Sequence, residues 1–333
     1  MTWLFVLAVE RQIDIRELAP FWPMTLAMVA GSLIAGSTPI GGGVVGFPVA
    51  VLVLDFSPDE GRDFTVLIQS VGMNAAAAML MMQRAHLLDF HMVVTYVLYG
   101  IPGVMLGLAV ETDPFWTTLT FQILVVEFAC VLAYLECIEA SDPSAPRPAG
   151  ALTDAPAAAG GGGALLDVLM VASAILGGFF TANVGSGSDM CLYAFGVLIW
   201  NTCAPHRALT TNELTANSVV VMGLLSLVAA LCRALTGQIA TRVYLCWAAS
   251  TWLVAFGAPV GSLLLTPRRQ AQLRRAFYVL AVLQFGGFAL LRVGSNPLAW
   301  TAFAIASAAI AGGLTGHYCW RAARVAADEK LYL

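Results

Sequence analysis

Long apolar runs separated by short polar stretches dominate the chain. A membrane span needs ~20 mostly apolar residues to cross ~30 Å of hydrocarbon, and many of the runs reach or approach that length. The uninterrupted runs are residues 64–83, 91–110, 116–138, 214–235, 243–265, 276–293 and 298–316. This pattern predicts an all-α polytopic membrane protein.

Two further apolar stretches are interrupted by glycine-rich sequence. Residues 20–36 and 44–56 flank STPIGGG, and residues 164–180 and 190–200 flank TANVGSGSD. Glycine permits positive φ and a close approach of the backbone to a ligand. Irregular backbone at membrane depth is tolerated only where it is buried in protein or lines a cavity. Each interruption therefore predicts a broken or re-entrant helix beside a site.

The two halves of the chain share an order of short motifs, which indicates an internal repeat. The paired motifs are the two interruptions, Ser57-Pro58 with Ala204-Pro205, Gln69-Ser70-Val71 with Asn217-Ser218-Val219, and Gly100-Ile101-Pro102 with Gly257-Ala258-Pro259. We predict two repeated four-element halves with one extra C-terminal helix. If the broken segments are re-entrant, three crossings separate equivalent positions and the halves are inverted; if each crosses once, there are nine crossings.

This pattern divides the chain into five parts. We expect an interfacial N-terminal segment at 1–19, a first transmembrane repeat at 20–138, a flexible linker at 139–163, a second transmembrane repeat at 164–293, and an extra helix with a polar tail at 294–333. The linker is assigned from its Asp, Pro, Ser and Ala content and its four consecutive glycines.

Composition agrees with the membrane assignment. Hydrophobic residues make up 59% and charged residues 11%, against roughly 45–50% and 25% in soluble proteins, and mean hydropathy is +0.81. A net charge of −4 argues against a nucleic-acid binder of the basic-patch type. The seven cysteines include no CxxC pair, so we expect small buried hydrophobes and no metal site or cofactor.

Charge distribution suggests an orientation. In both topologies the loop with Arg268, Arg269, Arg274 and Arg275 lies with the C-terminal tail on the side richer in basic residues. By the positive-inside rule that side is the cytoplasm. The re-entrant topology places the linker on the same side.

The two interruptions also carry a family resemblance. GSLIAGSTPIGGGVVGFPVAVLVL at 31–54 resembles the sulfite exporter TauE/SafE family of membrane transporters, with its glycine run followed by a short apolar helix with an early proline, here Pro48. The paired motif GGFFTANVGSGSDMCLYAFGVL at 177–198 departs from the family, because Ser186, Ser188 and Asp189 replace part of the glycine run. The resemblance extends over roughly residues 20–293 and implies export of sulfite or small organosulfur anions.

Taken together, the features predict a secondary transporter of a small anion, working by alternating access between the two breaks. A Walker motif is missing from the sequence, so the energy is expected from a gradient such as that of protons. An anion channel or a membrane scaffold is the alternative. An intramembrane hydrolase is disfavoured: Gly185-Ser186-Gly187 resembles a nucleophile turn, but none of the histidines lies inside a later span to act as a base.

The candidate substrate-binding residues are neutral: glycines in the breaks and polar side chains in or near them. They are Thr38, Gly41, Gly42, Gly43, Gln69, Ser70, Asn74, Asn183, Gly185, Ser186, Gly187, Ser188, Asn217 and Ser218. Helices that resume after a break expose N–H groups and a positive dipole end, which suit an anion without a basic side chain. The alternatives are a small-residue packing seam, helix caps and interhelical hydrogen bonds.

Two acidic residues are candidates for proton coupling. Asp189 is either an N-terminal helix cap or a coupling carboxylate, since a carboxylate beside an anion site favours binding only when protonated. Glu127 lies near the middle of a predicted span. It is either functional, or it faces a water-filled margin or pairs with an Arg from another helix.

Overall fold

The computed structural model describes residues 15–110, 112–141, 163–204, 207–264, 267–290 and 296–331. Within these ranges the fold is helical and has no strand, which confirms the all-α prediction. The helices are α1 Trp22–Ser37, α2 Gly43–Pro48, α3 Pro58–Gln83, α4 Phe90–Ala109, α5 Pro114–Ser141, α6 Gly163–Val184, α7 Ser188–Phe195, α8 Thr211–Leu235, α9 Thr241–Leu263, α10 Pro267–Phe288 and α11 Pro297–Leu331. Five-residue π-helical segments, Val49–Val53 and Gly196–Trp200, extend α2 and α7.

Eight helical segments among the described residues are long and apolar enough to cross a membrane. They are Arg16–Ser37, Pro58–Gln83, Phe90–Ala109, Pro114–Ile138, Ala164–Val184, Thr211–Leu235, Thr241–Leu263 and Pro297–Cys319. The expected span at 276–293 is not among them. Its residues 276–288 belong to α10, which begins at Pro267 with four arginines at 268–275 in its first turns, and its residues 291–293 lie outside the described residues.

The predicted interfacial segment at 1–19 lies mostly outside the described residues. Its described end is a short helix, Ile15–Leu18, followed by a 3-10 turn, Ala19–Phe21, which leads directly into α1. The predicted linker at 139–163 falls largely outside the described residues as well. Its beginning is the end of α5, and its last residue begins α6.

The same order of elements occurs twice. A broken helix with a π segment precedes a long helix in each half: α1–α2 precedes α3, and α6–α7 precedes α8. Both long helices begin with a capping box, in which Ser57 and Glu60, or Thr210 and Glu213, satisfy each other's backbone N–H groups. The helix that follows contains an internal proline in both halves, Pro102 in α4 and Pro259 in α9.

Close backbone contacts connect the two halves. A methyl group added at Gly103 of α4 would collide with the Ile175 carbonyl of α6, and one added at Gly36 of α1 would collide with the Ala258 carbonyl of α9. Small residues allow such approach between membrane helices, where van der Waals packing drives association. Each half therefore packs its broken helix against the proline-containing helix of the other half.

The chain divides into two compact units. The larger contains the described parts of Met1–Thr118 and Pro148–Arg275, and therefore both glycine breaks. The smaller contains the described parts of Leu119–Arg147 and Ala276–Leu333. In the smaller unit the Tyr134 hydroxyl hydrogen-bonds His317 Nδ1 at 2.7 Å, and the Phe128 and Phe277 rings pack edge to face.

The expectation that the cysteines are buried hydrophobes is wrong for most of them. Only Cys246 is buried, Cys191 and Cys232 are half-buried, and the exposed ones are Cys130, Cys137, Cys203 and Cys319. Apolar sequence did not imply burial in protein, because the outward faces of membrane helices are also apolar.

Candidate functional site

The first break is a hairpin that turns back along its own helix. α1 ends at Ser37, Thr38 is extended, and Gly41 adopts a φ of +69° before α2 begins. A methyl group at Gly31 of α1 would lie 3.3 Å from Val45 Cβ of α2. The Phe56 ring, after the π segment, packs edge to face on Phe21 at the start of α1. The segment thus returns to the level where α1 began, the geometry of a re-entrant hairpin.

The second break has the same form. Gly185 and Gly187, between α6 and α7, have φ values of +82° and +148°. The Ser173 hydroxyl of α6 donates to the Cys191 carbonyl of α7 at 3.3 Å, so α7 also runs back along the helix before it. These positive φ values lie where residues with a Cβ are strained. The glycines at these two positions are therefore needed for the backbone conformation itself.

The two breaks meet at Gln69 of α3. With its amide oriented to satisfy both groups, Gln69 Oε1 accepts from the Gly43 N–H at 2.9 Å and Nε2 donates to the Gly185 carbonyl at 3.3 Å. Such an orientation is assigned from the hydrogen-bond network. Thr65, one turn earlier, contacts the same two glycines with its side chain. A single helix thus holds the first break against the second.

The meeting point lies near the middle of α3 and is enclosed. Gln69 is the twelfth residue of α3, which places it about 16 Å from the start of the helix and about 21 Å from its end at 1.5 Å per residue. Four surrounding segments are buried throughout: residues 35–47, 61–73, 181–190 and 213–223. The site is therefore closed to solvent in this conformation.

Asp189 lies in the first turn of α7, the helix that follows the second break, and the N-cap residue of that helix is Gly187. Its Oδ1 atom accepts from the Met190 N–H at 2.9 Å and from the Gly187 N–H at 3.3 Å. Its Oδ2 atom makes no hydrogen bond and would lie 3.0 Å from a methyl group added at Gly41. The side chain is fully buried. Asp189 is thus not the N-cap residue, but one of its oxygens accepts from backbone N–H groups at the start of α7 while the other faces the first break.

Ser186 and Ser188 have different surroundings. The Ser188 hydroxyl accepts from Thr181 Oγ1 at 3.0 Å and contacts Met222 Sδ at 2.9 Å. The Ser186 hydroxyl is buried and interacts with Asp189 electrostatically, but without hydrogen-bond geometry. The buried Ser218 hydroxyl also makes no hydrogen bond. Ser186 and Ser218 therefore keep donors that a ligand could use.

The remaining polar candidates serve other contacts in this conformation. Thr38 and Ser70 bond to carbonyls of their own helices. Asn74 donates to the Gly223 carbonyl at 2.6 Å and so joins α3 to α8. Asn217 accepts from the Asp89 N–H at 2.9 Å, and Asn183 accepts from the Thr112 hydroxyl at 3.4 Å.

Gly42 lies within the first turn, where an added methyl group would be 3.4 Å from Ala35 Cβ. Glu127 belongs to the smaller unit, where its Oε1 atom accepts from the Ser307 hydroxyl of α11 at 2.7 Å. The sequence suggested an Arg from another helix as its partner, and the structure places the Ser307 hydroxyl there instead. The structure thus gives Glu127 a hydrogen-bonded place of its own, within a unit separate from the two breaks.

The structure also brings forward residues that the hydrophobic pattern missed. Thr65 contacts both breaks, and Thr181 caps α7 by accepting from the Ser188 N–H at 3.2 Å. Arg62 and Asp63 lie in the first turns of α3, whereas the apolar run begins only at Phe64. The capping-box pattern SPDE at 57–60 would have predicted that this helix begins before Phe64.

Comparison with known proteins agrees with the resemblance of the two breaks. The model of the sulfite exporter TauE/SafE family matches residues 24–288, which include both breaks. No curated protein and no solved structure gives a significant match. From this match the chain belongs to the sulfite exporter TauE/SafE family.

Proposed function

We propose that the protein is a secondary transporter that exports a small anion, such as sulfite or an organosulfur anion, by alternating access at the two breaks. The observation that carries the proposal is the meeting of Gly41–Gly43 with Gly185–Asp189 beside Gln69, enclosed and near the middle of the apolar helix α3. Discontinuous helices at mid-depth are the usual substrate sites of secondary transporters. Membership of a sulfite exporter family supports the substrate class.

The donors for the anion are neutral. The hydroxyls of Ser186 and Ser218 are buried without a hydrogen bond, and the Gln69 amide and the backbone N–H groups of the two turns complete the set. Hydroxyl, amide and backbone donors near a helix start suit an oxyanion. Dehydrating the anion in a closed site strengthens each of these interactions.

Asp189 is proposed as the proton-coupling carboxylate, with Glu127 as the alternative carrier. An ionised Asp189 holds the Gly187 and Met190 N–H groups and repels an anion at close range. Protonation removes that repulsion and weakens its hold on the N–H groups. Anion and proton are therefore expected to bind together. A divalent anion with one proton carries one net negative charge outward, which an inside-negative potential drives by about 2.3 kcal/mol per 100 mV.

We further propose that the linker and the C-terminus face the cytoplasm. The support is the positive-inside rule applied to the arginines at the start of α10. A cysteine-reactive probe that does not cross membranes tests this in whole cells that express a variant in which Cys319, exposed in the structure, is the only cysteine left. Labelling only after permeabilisation supports it, and labelling of intact cells contradicts it.

Flux through the purified protein in liposomes tests the transport function. Radiolabelled sulfite, with methanesulfonate as a competing sulfonate, is loaded inside, and efflux is followed under imposed pH gradients and membrane potentials. Saturable flux that responds to the gradient supports a transporter. Non-saturating currents would instead favour the channel alternative, which the enclosed site argues against. No flux under any gradient would refute the proposed function.

A further inference from the structure

A buried cluster of charged residues lies at the beginning of α3 and the end of α8. Asp63 Oδ1 accepts from Arg62 Nε at 3.2 Å and from Arg233 Nη1 at 3.1 Å, and Arg62 Nη1 pairs with Asp59 Oδ1 at 3.0 Å. Asp63, Arg62 and Arg233 are 4%, 8% and 7% exposed. The Asp63–Arg233 pair also joins a helix of the first half to a helix of the second.

The cluster has more donors than acceptors. Both guanidinium groups are directed at one oxygen of Asp63, and Arg233 Nε is buried without a hydrogen-bond partner. A guanidinium presents its donors as a rigid fork that matches two oxygens of a carboxylate or another oxyanion. A buried, unpartnered donor is costly, so Arg233 has unused capacity for an anion oxygen.

The cluster lies directly next to the enclosed site. The Arg62 carbonyl oxygen would be 3.0 Å from a methyl group added at Gly185, in the second break. Asp63 precedes Gln69 by six residues on α3, about 9 Å along the helix axis. An anion that moved from Gln69 towards the start of α3 would therefore pass the two arginines within a short distance.

We propose that Arg62 and Arg233 form an outer oxyanion site on this side of the transport site, and that the Asp63 carboxylate fills it when no substrate is present. This inference rests on the proposed function for its substrate class. Substrate replaces a carboxylate oxygen at Arg233, so the arginines remain paired in either state. The exchange frees the α3–α8 contact and couples arrival of the anion to opening of that side.

The alternative is a purely structural ion pair between α3 and α8. The two ideas differ in the sign of their effects. A structural pair is broken equally by Asp63→Asn and Arg233→Gln, so both variants would change the Michaelis constant for the anion in the same direction. In an oxyanion site, Asp63→Asn removes the competing carboxylate and Arg233→Gln removes the donor, so the two variants act in opposite directions.

The experiment compares the wild-type protein with these two variants in liposome sulfite flux. We expect KM to fall at least about threefold in Asp63→Asn and to rise about tenfold or more in Arg233→Gln. The loss of one hydrogen bond between a charged donor and the anion, or of one competitor for that donor, changes affinity by factors of this size. Arg233→Lys keeps the charge without the fork and should lie between wild type and Arg233→Gln. Arg233→Lys also replaces Arg233→Gln in the comparison if Arg233→Gln does not fold.

Glu60→Gln is the matched control. Glu60 pairs with Arg242 of α9 at 3.3 Å on the same side of the site, but these side chains are 20% and 44% exposed, and glutamine preserves the capping box. Its KM should match that of the wild type. Shifts of the same sign in Asp63→Asn and Arg233→Gln, or no shift in either, would overturn the outer site.

A second measurement separates this inference from the proposed function. The melting temperature of each detergent-solubilised variant is measured with and without sulfite. If wild-type protein moves no anion, the proposed function fails, and melting alone decides the outer site. A stabilisation by sulfite that is larger in Asp63→Asn than in wild type and lost in Arg233→Gln supports it. Equal stabilisation of all three proteins, or none, refutes it.

Discussion

Gly41 of the first break faces Asp189 of the second: a methyl group added at Gly41 would lie 3.0 Å from Asp189 Oδ2. Residues 148 positions apart thus close one site from two sides. The contact depends on the positive φ of Gly41, which turns the chain towards α2 at this point. Both the conformation and the missing side chain of Gly41 are therefore expected to matter for transport.

Replacement of Gly41 by alanine should abolish anion flux. The left-handed conformation costs an L-residue about 1–2 kcal/mol, and the added methyl group also presses on Asp189 and on the Gln69 amide. Gly237 is the matched control, since its φ is +66° and an added methyl group would meet no atom within 4 Å. Gly237→Ala should lower the melting temperature slightly and leave flux intact. Equal flux in the two variants would show that Gly41 has only a backbone role.

Replacement of Gln69 by leucine should destabilise the protein and stop flux. The change leaves the Gly43 N–H and the Gly185 carbonyl buried without partners, which costs about 1–3 kcal/mol for each group. Ser226→Ala tests the assigned amide orientation, because the opposite orientation would have Gln69 Oε1 accept from Ser226 Oγ at 3.5 Å. Thermal melting of both variants in detergent provides the comparison. A large loss of stability in Ser226→Ala would contradict the assigned orientation.

Asp189→Asn should separate proton coupling from anion binding. The asparagine carbonyl can still accept from Gly187 and Met190, but the side chain no longer binds and releases a proton. We expect pH-gradient-driven flux to fall at least about tenfold, as for loss of an essential proton carrier, while sulfite exchange at equal pH persists. Asp189→Ala also removes the acceptor of the Gly187 and Met190 N–H groups and should lower the melting temperature more than Asp189→Asn does.

The same flux assay distinguishes the two acids. Glu127→Gln can keep the hydrogen bond from Ser307 and should retain the response to a pH gradient. Loss of coupling in Glu127→Gln, with coupling preserved in Asp189→Asn, would transfer the role to the smaller unit. Loss of coupling in both variants would mean that protons pass through more than one carboxylate.

Replacement of Gly178 by alanine should weaken the packing of α4 on α6. An added methyl group would collide with the Gly100 carbonyl, and overpacking of a tight contact costs about 1–3 kcal/mol. Gly312→Ala in α11 is the control, because an added methyl group there would meet no atom within 4 Å. The melting temperature should fall for Gly178→Ala alone. Equal melting temperatures would indicate that α4 and α6 can separate without loss of stability.

The interruptions at 37–43 and 181–189 were predictable because glycine and polar residues inside an apolar run break the helix, and broken backbone at membrane depth must be enclosed by protein or line a cavity. The start of α3 was not predictable from the same pattern. Arg62 and Asp63 form a polar boundary in the sequence, and only the pairing with Arg233, 170 residues after Asp63, allows both to be buried within the helix.

The sequence by itself determined the helical membrane class, the family and the positions of the two breaks, because these depend on local composition and on the period of apolar residues. Tertiary structure alone decided which polar residues share the site. Gln69, Thr65 and Asp189 meet because each broken segment folds back on its own helix and both contact α3. Asn217 and Glu127 lie inside apolar runs as Gln69 does, yet they bond elsewhere. The partner of a buried polar group is set by packing between distant segments, which hydrophobic periodicity does not encode.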